Sequence, residues 1–341
     1  MANTFFKSFA ESDRTSSRTL LHEVIPITGT LVSGTYSASS NIKSFTHGMF
    51  QSVYDYPYLS SSANHIFDTT YGYHVSSSFY GDSNTQNSKK NNVYNQMAQV
   101  LSGFDTDSKV RRFDQDGNFA TTGDKYDEAF ILTFSRLLTK DEIKKGSFSL
   151  TLGTGSTYAD PFADTVTITD VGAETNTKVN SPAGEYGILK DGSSNSVGLL
   201  YYQAGVAILS SSVLGPLATT ELDVAGQFHE ALATGSNIDA LGDALLHRVQ
   251  NVQFNNTTEL NSTIYFCRAN HNEFNYSSNP TYLSGSKVIV KNNDNQMPPR
   301  SYVTTVGLYS ADNELLAVAK LSEPLRKDPT NELTLRVRLD Y

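Results

Sequence analysis

Leu333-Thr334-Leu335-Arg336-Val337-Arg338-Leu339-Asp340-Tyr341 closes the chain in alternation of apolar and polar residues. A period of two marks a strand with two unlike faces. Leu333, Leu335, Val337, Leu339 and Tyr341 are therefore expected on one face, and Thr334, Arg336, Arg338 and Asp340 on the other. Just upstream, residues 302–309 and 314–319 are two apolar runs separated by Ser310-Ala311-Asp312-Asn313. That spacing predicts a β-hairpin with turn-forming residues at its tip.

Strand patterns also govern the middle of the chain. Val197-Gly198-Leu199-Leu200-Tyr201-Tyr202 has no polar face and reads as a central strand. The loop Asp191-Gly192-Ser193-Ser194-Asn195-Ser196 joins it to the apolar run 186–189 as a hairpin. Phe148, Leu150 and Leu152 alternate with Ser and Thr, and Thr165–Thr169 repeats the pattern. Residues 21–25 and 30–32, with Pro26 and Gly29 between them, predict a further strand pair.

Helical spacing is confined to three places. Val93, Met97, Val100 and Leu101 share one face over 88–103, with Gly103 as a left-handed cap. Thr139-Lys140-Asp141-Glu142 is a capping box that predicts a short helix over 139–146. Phe228, Leu232, Ile238, Leu241, Leu245 and Val249 keep helical spacing through 226–250, broken at Gly235. The fold class that follows is mainly β with a few helices (α+β), built from antiparallel sheets or β-sandwich lobes, with a C-terminal β-hairpin plus terminal strand. Three segments are expected: an extended N-terminal arm over 1–20, a β-rich lobe over 21–225, and a helix followed by a C-terminal β domain over 226–341.

Composition narrows the function. The 341 residues include 19 Tyr and 18 Phe but no Trp, and only 18% are charged. Ordinary soluble domains carry about 25%. Neutral polar residues take the place of charges, which suits broad contact surfaces because they cost less to desolvate. The net charge of −9 leaves no basic footprint for nucleic acid. No run of about 18 apolar residues predicts a membrane span, and residues 1–7 lack a signal-peptide core. Folding in a cytoplasm is the expectation. The single Cys267, in Ile264-Tyr265-Phe266-Cys267, excludes an intrachain disulfide and reads as a packed strand residue.

Catalytic templates fail at specific residues. His229-Glu230 begins like a zinc-binding helix, but position 233 is Ala rather than a second His. Gly153-Thr154-Gly155 lacks the third glycine and the following helix of a dinucleotide site. No phosphate-loop or nucleophile-elbow motif occurs. Asp114-Gln115-Asp116-Gly117-Asn118 reads as a hairpin turn, with a cation loop as the alternative. No catalytic, cofactor-binding or metal residue is nominated, and no cofactor or small-molecule substrate is expected.

Aromatic residues are the candidates for contact with partners. Phe5, Phe6 and Phe9 lie near the N-terminus, where they anchor an arm in a neighbour's groove or pack on their own chain. Tyr54, Tyr56, Tyr58, Tyr71 and Tyr73 sit among Ser, Asn and His, as a binding surface or as inward-packed rings.

Several blocks carry a resemblance as a set: 60–68 (Ser-Ser-Ser-Ala-Asn-His-Ile-Phe-Asp), 94–101, 137–146, 181–187 (Ser-Pro-Ala-Gly-Glu-Tyr-Gly) and the terminal run 302–341. Together they resemble virion structural proteins of contractile-tailed bacteriophages, and the similarity spans nearly the whole chain. The resemblance implies a structural subunit, most closely similar to a wedge subunit of the tail baseplate. It implies no enzyme activity. Its partners would be other copies of itself and other virion proteins, and it would be made in the host bacterial cytoplasm. A neck or other tail- or capsid-associated protein, or a host-carbohydrate-binding receptor protein, is the alternative.

Overall fold

The computed structural model describes residues 6–22, 29–33, 40–120, 123–155, 157–213, 229–275, 283–284, 287–288 and 300–341. The protein is mainly β, with antiparallel sheets, a few helices, a C-terminal hairpin and a terminal strand. It divides into two compact units, residues 21–258 and residues 1–20 together with 259–341.

The larger unit is framed by a twelve-stranded sheet. Across it run Gly29–Ser33, Val249–Phe254, Ser149–Gly153, Thr165–Thr169, Gly184–Lys190, Ser196–Tyr201, Val206–Ser210, Glu128–Phe134, His65–Tyr73, Gln51–Tyr54 and Ile42–Ser44. Lys178–Ser181 joins the side of Gly184–Lys190. Neighbouring strands are antiparallel throughout.

Both faces of the central strands are covered, which is why their sequences lack polar alternation. Phe130, Leu132 and Phe134 join a core with Phe67, Tyr71, Leu209 and the helical Leu241 and Leu245. Ala129 and Ile131 face the opposite core, with Tyr201, Ile208 and the helical Val93, Tyr94, Ala98 and Leu101. Helix Asn87–Leu101 therefore lies on one face, and helix Ile238–Arg248 on the other. The first helix sits so close that a Cβ on Gly72 would stand 2.7 Å from the Lys90 carbonyl oxygen and 2.8 Å from the Tyr94 nitrogen.

The helix 87–101 ends as its sequence predicts. Gly103 has φ +78°, and its N–H reaches the Ala98 carbonyl at 3.1 Å. Its buried face differs from expectation: Val100 is exposed, and Tyr94 and Ala98 complete the face with Val93 and Leu101. The wholly buried Lys90 finishes another helix altogether. Its Nζ donates to the carbonyls of Thr85 (2.9 Å), Ala233 (2.6 Å) and Ser236 (2.8 Å), closing the end of His229–Gly235. Gln86 Oε1 accepts from Ile238 N at 2.9 Å, capping the next helix from outside.

Three expectations are corrected here. Residues 139–146 do not form a helix. A single turn, Arg136–Thr139, ends at Lys140, and Glu142–Ile143 becomes a strand paired with Asn256 and Thr257. Ile143 N also reaches the Tyr202 carbonyl at 3.0 Å, so sheet pairing outweighs the local capping box. Of the pair expected over 21–25 and 30–32, residues 23–25 lie outside the described residues; the described strands there, Arg14–His22 and Gly29–Ser33, do not pair with each other. Gly29–Ser33 joins Val249–Phe254, and Arg14–His22 joins Asn256–Ala269. Finally, no boundary falls at 225/226. Helix Ile238–Arg248 packs on the large sheet and Val249–Phe254 is one of its strands, which places the division after Thr258.

The smaller unit holds a sheet ordered Arg14–His22, Asn256–Ala269, Leu333–Asp340, and the separate hairpin Ser301–Tyr309 with Leu315–Lys327. The terminal strand alternates as expected: Leu335 and Leu339 are half-buried and Val337 buried, while Thr334, Arg336, Arg338 and Asp340 are exposed. Tyr341, expected on the covered side, is exposed just beyond the strand's end. The turn from hairpin to terminal strand is held by two residues. Lys327 Nζ donates to the Asp328 carbonyl (3.0 Å), the Asn275 Oδ1 (2.7 Å) and the His271 carbonyl (3.3 Å). Asp328 accepts from Thr330 N (2.9 Å), the Thr330 hydroxyl and the Arg326 guanidinium.

Candidate interaction surface

The nominated aromatics separate into three groups. Tyr71 and Tyr73 are wholly buried and belong to the core, not to a surface. Their strand, His65–Tyr73, runs between Gln51–Tyr54 and Glu128–Phe134 with a helix on either face, so its Tyr71–Tyr73 end is buried, while His65, Asp68 and Thr70 remain half-buried. Tyr73 donates to Asn87 Oδ1 at 2.8 Å, and burial pushes the Tyr71 hydroxyl pKa well up.

Tyr54, Tyr56 and Tyr58 stay together at the end of a hairpin in the larger unit. Tyr54 is half-buried and meets the rings of Tyr58 (centroids 6.4 Å) and His65 (5.6 Å). Tyr56 and Tyr58 are exposed, and Leu59 beside them is 87% exposed. The loop is clasped by Asp55, which accepts from Asn64 N at 2.6 Å and Asn64 Nδ2 at 2.8 Å.

Phe6 and Phe9 belong to the smaller unit, and Phe5 lies outside the described residues. Phe6 meets Tyr309 edge-on at 4.9 Å, and Phe9 meets Tyr265 at 5.3 Å. Lys7 pairs with Glu273 and Asp13 with Arg268, while Ser16 Oγ lies 3.1 Å from Thr263 Oγ1. Of the two readings open for these rings, the described contacts of Phe6 and Phe9 are with their own chain. Both rings keep about half their surface free: Phe6 is 49% exposed and Phe9 40%.

One surface went unnominated. On the C-terminal hairpin, Tyr309 pairs across with Leu315, and Gly307 with Val318. Tyr309, Leu315, Leu316 and Val318 are all exposed, and Phe6 extends the patch. Apolar residues at both parities of 302–309 and 315–319 were the available signal, because an isolated hairpin cannot bury both faces.

The decisive property of the smaller unit is how little its described residues bury. Among its described residues, Leu308 and Val337 are the only buried apolar side chains, whereas the larger unit has two extensive cores. The comparisons add no relative: no family model, no curated protein and no solved structure matches this chain. The excess of acidic residues falls entirely in 21–258, so the smaller unit brings little net charge to a contact.

Other chemistry-bearing residues are engaged structurally. Asp114 Oδ2 accepts from Phe119 N at 2.6 Å and lies 3.0 Å from Lys125 Nζ. Asp116 accepts from Asn118 N at 3.1 Å, within the loop between the paired strands Phe113–Asp114 and Lys125–Tyr126. Those bonds fit the hairpin reading of 114–118. Among the described residues no group of three or more His, Cys, Asp or Glu is placed to hold a metal, and no helix is long and apolar enough to cross a membrane. Cys267 is half-buried opposite Leu335, and burial pushes its thiol pKa up, away from the thiolate.

Proposed function

We propose that the chain is a structural subunit that works by protein–protein assembly, and that its smaller unit is the part its neighbours complete. The observation that carries this is how few apolar side chains are buried among its described residues, beside the exposed Phe6, Tyr309, Leu315, Leu316 and Val318. Exposed apolar residues on a two-stranded hairpin gain free energy only when another surface covers them. The block resemblance gives the assembly: the virion of a contractile-tailed bacteriophage, with the tail baseplate wedge as the chain's place in it. Its partners are then further virion proteins and other copies of itself, met after synthesis in the bacterial cytoplasm. The test is mass spectrometry of purified particles from the source of this gene, with cryo-microscopy to locate the chain. Its absence from particles would overturn the reading.

A second reading is favoured by the clasped Tyr54–Tyr58 loop, whose exposed rings suit stacking on sugars. Glycan-array binding lost in the double variant Tyr56→Ala/Tyr58→Ala would support it. An array without hits would remove it.

A further inference from the structure

Among the described residues the terminal strand is paired along one edge only, and its direction of hydrogen bonding can be read from the end of the ladder. Asn261 and Tyr341 exchange both backbone bonds, at 3.0 and 2.8 Å. Such pairs recur at every second residue of an antiparallel ladder. Leu339, Val337, Leu335 and Leu333 therefore turn their N–H and C=O groups inward, towards Thr263, Tyr265, Cys267 and Ala269. Thr334, Arg336, Arg338 and Asp340 turn theirs outward, where no described strand lies. The edge is regular over its whole length, without proline or a shift in register. Proteins ordinarily blunt such edges with prolines, bulges, short strands or charged side chains, and here only the charges of Arg336, Arg338 and Asp340 are present.

The side chains beside this edge are sorted by charge. Arg336 is exposed and has no acceptor among the described residues. Arg338 pairs with Asp340 at 2.7 Å, but both are more than half exposed, so the pair contributes little. The opposite face carries Leu335, Val337 and Leu339. A strand added here would meet guanidinium groups on one face and apolar residues on the other, and opposite charges directly across a ladder stabilise it.

We propose that the outer edge of Leu333–Asp340 receives an extended segment of a different protein chain, apolar and acidic in alternation, by β-strand addition. The inference rests on the assembly reading and names the kind of partner that completes the smaller unit.

The probe is a blocked eight-residue peptide of alternating valine and glutamate, with a valine–lysine peptide as control, titrated into the full-length chain. The valine–glutamate peptide is expected to slow amide exchange at Thr334, Arg336, Arg338 and Asp340, and to bind at least about tenfold more tightly than the control. Arg336→Pro removes an outward N–H while sparing the inner ladder, and is expected to abolish binding. If that variant loses its melting transition, Arg336→Glu/Arg338→Glu carries the test by reversing the preference between peptides. Equal binding of both peptides, or no protection of the four amides, overturns the proposal. Particle uptake separates the two readings: normal uptake of folded Arg336→Pro overturns edge pairing alone, whereas a wild-type chain missing from particles overturns the assembly role as well.

Discussion

The ring of Phe6 stands edge-on to the ring of Tyr309, their centroids 4.9 Å apart and their planes 68° from parallel. Residues far apart in the chain thereby share one patch. Aromatic pairs of this geometry contribute roughly 0.5–1.5 kcal/mol beyond the area they cover. Phe6→Ala combined with Phe9→Ala should therefore speed amide exchange in Arg14–His22 and the facing part of Asn256–Ala269. The melting transition of the larger unit should be unchanged. Unaltered exchange in the smaller unit would show that the rings do not hold the N-terminal segment.

Gly72→Ala tests the close approach of helix Asn87–Leu101 to the sheet. The added methyl would press on the backbone of Lys90 and Tyr94, which has no rotamer with which to yield. A cost of about 1–3 kcal/mol is expected, as for overpacked cores. A melting temperature equal to wild type would contradict the packing described.

Lys90→Met leaves the carbonyls of Thr85, Ala233 and Ser236 without their buried donor. Each such loss costs about 1–3 kcal/mol, so a total of at least about 2 kcal/mol is expected. That corresponds to a fall in Tm of about 4–8 °C for a unit of this size. Burial also pushes the Lys90 ammonium down to about 8. Between that value and the ordinary lysine pKa of about 10.4, the unfolded chain holds a proton that the folded chain lacks. The lysine's contribution to stability therefore rises with pH across that window. Melting curves at pH 7.5 and 10 should show a smaller alkaline gain in Lys90→Met than in wild type.

The turn at Asp328 should be acid-labile. The Thr330 hydroxyl, the Thr330 N–H and the Arg326 guanidinium hold its carboxyl down to about 2. A carboxyl whose folded pKa lies below its unfolded value of about 3.9 contributes stability above that value, and loses it as pH falls through the folded pKa. Exchange in the hairpin Ser301–Tyr309/Leu315–Lys327 should accelerate from about pH 4 towards pH 2. Asp328→Asn should flatten that dependence. Equal acid sensitivity in the variant would place its origin elsewhere.

Tyr56→Ser, Tyr58→Ser and Leu59→Ser, made together, should leave the melting transition within about 0.5 kcal/mol of wild type per site, as exposed positions do. A larger loss would mean that the loop packs against its own chain.

Strand patterns proved legible both where one face is covered, as an alternation, and where both faces are, as an unbroken apolar run. The alternation of 333–340 and the apolar run 197–202 gave both the element and its burial, because sheet geometry acts residue by residue. The Thr139–Glu142 box misled because its favourable local contacts compete with a ladder to Asn256 and Thr257, more than a hundred residues away. Tyr71 and Tyr73 carry the same composition as Tyr56 and Tyr58. Only the strands on either side of 65–73 separate core from surface. The capping of one helix by Lys90 and of the next by Gln86 left no local mark at all, since neither residue is near the helix it completes.

The position of Val249–Phe254 between Gly29–Ser33 and Ser149–Gly153 has a consequence for synthesis. Both flanking strands leave the ribosome well before their common partner. Until residue 254 emerges, the nascent chain presents two bare ladders that attract each other or a passing polypeptide. Chaperone occupancy on translating ribosomes should therefore persist through that interval, and fall once the inserted strand is released.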